Sequence, residues 1–93
     1  MTIKSASEFE ATVGRIILKV ERELVQRPSA EVLKDVRRKL EKAQSVARNA
    51  DTLKTHKDAL ASAGEVLREQ LGSDQELLDM TWDILDYIDY QLA

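Results

Sequence analysis

The feature that most constrains this chain is the helical spacing of its apolar residues, which is clearest in residues 73–93. At about 100° per residue, six residues of this segment fall on one arc: Leu77, Thr81, Ile84, Leu85, Ile88 and Leu92. Such an arc has to be buried against other elements. The pattern therefore predicts an amphipathic helix over 74–92. We expect Ser73, with Glu76 three residues later, to cap its start, and Gly72 to end the preceding helix in a left-handed conformation.

Three earlier segments have the same period. The first helix is predicted to begin with a capping box, formed by Ser5 with Glu8 or by Ser7 with Glu10. Pro28 disfavours the continuation of this helix. The helices are predicted over 7–27, 29–49 and 52–71.

The boundary between the second and third helices is decided by the phase of their apolar stripes. When both helices are drawn on one ideal helical wheel, the directions of their two apolar stripes differ by roughly 130°. This difference favours a turn near 49–52, with Asp51 as N-cap. The prediction is an all-α fold: a single domain over 1–93, arranged as an up-down-up-down four-helix bundle. The alternative is a three-helix fold with one long middle helix.

The first helix has a second, narrower apolar stripe on the face almost opposite its main one. We call it the outer stripe, and it consists of Ala11, Gly14, Leu18 and Val25. A helix that is apolar on two sides is either sandwiched in its own bundle or paired with another chain. Accidental exposure of a few apolar residues is a third interpretation, because exposed Leu and Val are common.

Charge is unevenly distributed along the chain, although the net charge is only −3. Residues 28–50 carry six basic side chains against three acidic ones, whereas residues 73–93 carry six acids and no base. The basic face of the second helix comprises Lys34, Arg37, Arg38, Lys42 and Arg48. The acidic row of the last helix comprises Glu76, Asp79, Asp83 and Asp86, with Trp82 and Tyr87 on the two flanks of the apolar arc. These surfaces are complementary, and can attract within the monomer or across a dimer.

Signals for chemistry are few. The chain has no Cys, which excludes disulfides and thiolate sites. The single histidine, His56, has no evident catalytic partner, and we expect a boundary residue bonded to backbone or water. The spacing of Asp83, Asp86 and Asp89 resembles an acidic motif of all-α nucleotide pyrophosphohydrolases. The second acidic helix and the basic and aromatic substrate residues of that family are not evident, so no roles are assigned. No cofactor is expected.

The function predicted from these features is a non-enzymatic protein–protein interaction module, or a small adaptor or chaperone-like subunit, that self-associates as a homodimer. Its binding residues would be the outer stripe together with Asp79, Trp82, Asp83, Asp86 and Tyr87. One alternative is nucleic-acid binding through the basic helix 34–48. A less favoured alternative is a metal-dependent hydrolase that uses the acidic residues of 79–89. Without an apolar run near eighteen residues or a signal-peptide core, we expect a soluble cytoplasmic protein with no membrane partner.

Overall fold

The computed structural model describes residues 3–92. Its helices are α1 (Ala6–Gln26), α2 (Glu31–Ser45), α3 (Ala50–Lys54), α4 (Lys57–Leu71) and α5 (Gln75–Asp86), and a π-helical turn (Tyr87–Gln91) continues α5. No strand occurs within these residues, and the all-α prediction is confirmed.

The four longer helices form a ring in chain order. α1 packs on α2, α2 on α4, α4 on α5, and α5 returns to α1. Neighbouring helices run antiparallel, as in the predicted bundle. In the pair α1 and α5, for example, Phe9 near the start of α1 meets Tyr87 just after α5, and Lys19 farther along α1 meets the residue before α5, Asp74.

The hydroxyl of Ser5 accepts the backbone N–H of Glu8 at 3.2 Å, which confirms Ser5 as the cap of α1. The carboxylate of Glu8 accepts the N–H of Lys4 and not that of Ser5, so the reciprocal half of the predicted capping box is not formed.

The apolar arc predicted for the last helix faces the inside of this ring of helices, although Leu85 and Leu92 are only partly buried. Leu77, Ile84 and Ile88 are all buried, and the ring of Phe9 in α1 lies 5.2 Å from the ring of Tyr87. Burying one large aliphatic side chain contributes about 1.5–3 kcal/mol. The largest fully buried side chains come from all five α-helices: Phe9, Ile16, Leu33, Leu40, Leu53, Leu60, Leu67, Leu77 and Ile84.

The segment between α2 and α4 turns, as predicted, but it also contains the additional short helix α3. The alternative of one long middle helix is therefore wrong. The cap of α3 is Asn49, whose side chain accepts the N–H of Thr52 at 3.1 Å, and not Asp51. Asn49 has the extended backbone that an N-cap needs, whereas Asp51 lies inside the first turn. A second turn, at Thr55 and His56, divides the predicted third helix, and α3 buries Leu53 completely.

The start of α5 also differs from the prediction. Its cap is Asp74, which accepts the N–H of Leu77 at 3.0 Å, and not Ser73. The other carboxylate oxygen of Asp74 accepts a hydrogen bond from Lys19 of α1 at 2.8 Å, a tertiary contact that favours this residue as the cap. Gly72 is right-handed, with φ of −64°, so the predicted left-handed exit is wrong. Glycine is needed there because a Cβ would collide with the carbonyl oxygen of Arg68.

Candidate protein-binding surface

The outer stripe of α1 remains largely outside the bundle. Leu18 is 57% exposed and Val25 is 81% exposed, and Ala11 is exposed as well. Only Gly14 approaches a neighbouring helix, since a Cβ there would lie 3.2 Å from the amide nitrogen of Gln44 in α2. The sandwiched interpretation is therefore wrong for the larger side chains of the stripe, which face solvent.

The two aromatic side chains that flank the apolar arc of α5 have opposite environments. Tyr87 is only 7% exposed and packs on Phe9, so it belongs to the core and not to the predicted binding surface. Trp82 is 61% exposed. The physical reason is the order of the helices around the bundle. Helix α1 covers the flank of α5 that carries Tyr87, whereas Trp82 lies on the flank beside α4.

A groove runs between α4 and α5 next to Trp82. Its volume is about 230 Å³. We call it the Trp82 groove, and its lining residues are Ala61, Gly64, Glu65, Arg68, Leu78, Thr81, Trp82 and Leu85.

Small side chains on α4 shape the Trp82 groove. A Cβ at Gly64 would lie 3.1 Å from Cγ2 of Thr81 and 3.7 Å from Cδ1 of Leu85, so the two helices approach closely at this point. Ala61, one turn earlier, adds only a methyl group to the wall. Sequence reasoning missed this groove, although the two small residues three positions apart on α4 are a signal that could have located it.

The acidic row lies on the outward side of α5, and its first residue is held by α1. The ammonium group of Lys19 is 3.7 Å from a carboxylate oxygen of Glu76, in addition to its hydrogen bond with Asp74. The hydrogen bond from Lys19 is the main reason that the pKa of Asp74 is lowered, and the hydrogen bond from the N–H of Leu77 is the second. The hydrogen bond between Lys19 and Asp74 also raises the pKa of Lys19.

Farther along α5, the acids Asp79 and Asp86 are exposed, and Asp83 is partly buried. Asp79 accepts a hydrogen bond from the amide of Gln75 at 2.9 Å. Asp86 forms no ion pair with any residue between 3 and 92. No base occurs in α5, so the acids of the row lie beside one another and beside no cation of their own helix.

The acids of 79–89 do not converge on one point. In the described part of the chain, no group of three or more His, Asp or Glu side chains is placed to hold a metal ion. Asp89 instead forms an ion pair with Lys57 of α4, and this contact raises the pKa of Lys57. His56 is a partly buried residue at the turn before α4, which is the boundary position expected for it.

A second and larger groove, of about 690 Å³, separates α1 from α5. Charged side chains of both signs stand along its walls: Lys4, Glu8, Arg15, Glu76, Asp79 and Asp83. Ile3, Ala11 and Met80 add apolar surface between them, so in this groove acids of α5 already share the space with two bases.

The basic face of α2 is largely paired with acids of its own helix. Arg38 and Lys39 both contact Asp35, at 3.4 and 3.0 Å, and the hydrogen bond from Lys39 lowers the pKa of Asp35. Further pairs are Lys34 with Glu31, Arg37 with Glu41, and Arg48 with Glu10 of α1. Lys42 is exposed. These acids reduce the charge available to bind phosphates.

The proposed attraction between the basic face and the acidic row does not operate within the monomer. α2 and α5 occupy opposite corners of the ring. The ion pairs of the basic face go to Glu31, Asp35, Glu41 and Glu10.

None of the helices within residues 3–92 combines the length and the apolar character needed to cross a bilayer. No protein-family model, curated protein or solved structure matches this chain.

Proposed function

We propose that this protein is a non-enzymatic protein–protein interaction module, such as an adaptor or chaperone-like subunit, and that it binds its partner through the Trp82 groove. The observation that carries the proposal is the 61% exposure of Trp82 directly beside an apolar groove. Trp and Tyr dominate the energetics of many interfaces, because a large rigid ring gains contact area at little entropic cost. In the monomer, much of the surface of Trp82 faces solvent and contacts no other residue.

The groove has the composition of an interface centre. Leu78 and Leu85 supply an apolar floor that is only partly covered by the bundle, and Arg68 and Glu65 supply a polar rim. An apolar centre with a polar rim is the usual anatomy of a specific protein interface. Its small size indicates that a partner inserts a few side chains and does not cover the whole face.

Site-specific photo-crosslinking in the native host tests this function. A benzophenone side chain at Arg68, on the rim of the groove, should form a discrete adduct. The same side chain at Ser45, which is exposed on α2 at the opposite corner of the ring, is the matched control. The Trp82→Ala substitution should remove the adduct formed at residue 68. No adduct at residue 68, or the same adducts from both positions, would contradict the proposal.

The outer stripe of α1 favours a second candidate, self-association as a homodimer. Ala11, Leu18 and Val25 are seven residues apart and exposed, so they form one row along the outside of α1. Sedimentation at micromolar concentration should then show a dimer, and Leu18→Glu should give a folded monomer. A wild-type monomer at these concentrations would remove the role proposed for the stripe.

A further inference from the structure

The Trp82 groove differs in charge along its two edges. On the α4 edge, Glu65 and Arg68 have opposite signs. On the α5 edge, two acids lie beside Trp82 without lining the groove. Asp79 precedes Trp82 by three residues and also borders the groove between α1 and α5, and Asp86 follows Trp82 by four residues. The segment 73–93 contains no base. The α5 edge is therefore acidic.

Asp79 and Asp86 destabilise the isolated monomer. They lie within one row of like charges on the outward side of α5, where side chains three and four residues apart repel one another. Neither residue forms an ion pair with the described residues that would offset this cost. A cationic group placed beside them on binding would remove the repulsion, so the arrangement favours a positively charged partner.

The apolar residues of the groove specify the shape of that partner. Leu78, Trp82 and Leu85 are spaced by four and three residues, and they form one row along α5 that faces α4. A groove between two helices that presents such a row is suited to an amphipathic helix, whose own apolar residues recur at the same spacing.

We infer that the Trp82 groove binds a cationic amphipathic helix of another protein. This inference rests on the function proposed above. The apolar residues of the partner helix pack on Leu78, Trp82 and Leu85 in the Trp82 groove. Lys or Arg residues on one flank of that helix lie over Asp79 and Asp86. The cationic flank lies on the α5 side, because the α4 edge has no net charge.

Trp82 is the only tryptophan of the chain, so its fluorescence reports on the groove directly. The probe is a synthetic helical peptide without aromatic residues, which has Leu at spacings of four and three and Lys along one flank. One matched peptide replaces each Lys with Glu, and another replaces each Leu with Ser. The Lys peptide should shift the emission of Trp82 to the blue in a saturable manner, and added salt should weaken its affinity.

Three variants locate the contact. The double substitution Asp79→Asn with Asp86→Asn should weaken binding of the Lys peptide roughly fivefold. Its control, Glu21→Gln with Asp51→Asn, makes the same charge change on exposed residues of α1 and α3, away from the groove, and should leave the affinity unchanged. Ala61→Leu should abolish binding because it fills the groove. Circular dichroism confirms that each variant is folded.

Different failures separate the inference from the function on which it rests. If the Glu or Ser peptide bound as tightly as the Lys peptide, the cationic amphipathic partner would be wrong. If the Lys peptide did not bind while the adduct at residue 68 still formed, only the partner class would be refuted. A blue shift that grew with protein concentration alone would identify a second copy as the occupant and overturn the inference.

Discussion

The cap of α5 offers the sharpest test of the fold, because Ser73 and Asp74 compete for the same role. Asp74 accepts the N–H of Leu77 with one carboxylate oxygen and the ammonium group of Lys19 with the other. The test compares Asp74→Ala with Ser73→Ala. Only the first substitution should weaken the start of α5, since the structure assigns no capping role to Ser73.

The expected loss follows from the two contacts. Replacing an N-cap Asp with Ala costs about 1 kcal/mol. The ion pair adds about 0.5 kcal/mol, a low value because the side chains of Lys19 and Asp74 are 22% and 36% exposed and solvent screens them. Asp74→Ala should therefore lower the free energy of unfolding by about 1.5 kcal/mol, or the Tm by roughly 6–12 °C. Asp74→Asn keeps the capping oxygen and should lose only about 0.5 kcal/mol.

Urea denaturation followed by circular dichroism measures these differences. The pH dependence adds a second check, because Lys19 and the Leu77 N–H lower the pKa of Asp74 in the folded state. The stabilisation from the charged carboxylate is fully present above the ordinary pKa of about 3.9, and it disappears as the pH falls through the lowered value. The gap between wild type and Asp74→Asn should close over that acidic range. Equal losses from Ser73→Ala and Asp74→Ala would refute the assignment of the cap.

Four further substitutions test the remaining features, each by denaturant unfolding. Leu53→Ala should cost about 2–5 kcal/mol because α3 buries this side chain completely, whereas a loosely attached α3 would give little change. Gly72→Ala should cost about 1–3 kcal/mol because its Cβ meets the Arg68 carbonyl oxygen, and a stabilised variant would contradict this close approach. Tyr87→Ala should lower the free energy of unfolding by about 3–5 kcal/mol, because Tyr87 is buried, and Trp82→Ala should lower it by less than about 1 kcal/mol. Similar losses from the two substitutions would instead show that both rings belong to the core.

The sequence determines the secondary structure and the inward faces well, because both depend on spacing within one segment. Leu77, Ile84 and Ile88 could be placed in the core from their period alone, and the phase difference near 49–52 predicted a turn. The antiparallel pairing of α1 with α2 and of α4 with α5 follows from connections of only a few residues.

Which helix covers each flank is decided only by the tertiary structure. On a helical wheel, Trp82 and Tyr87 are equivalent, since each borders the same apolar arc. The ring places α1 over Tyr87 and leaves Trp82 beside the small residues Ala61 and Gly64 of α4. In the same way, Lys19 favours Asp74 as the cap from 55 positions away. The sequence of one helix determines which of its side chains point towards the core. Contacts between distant segments decide which helix, if any, covers the side chains beside that core face.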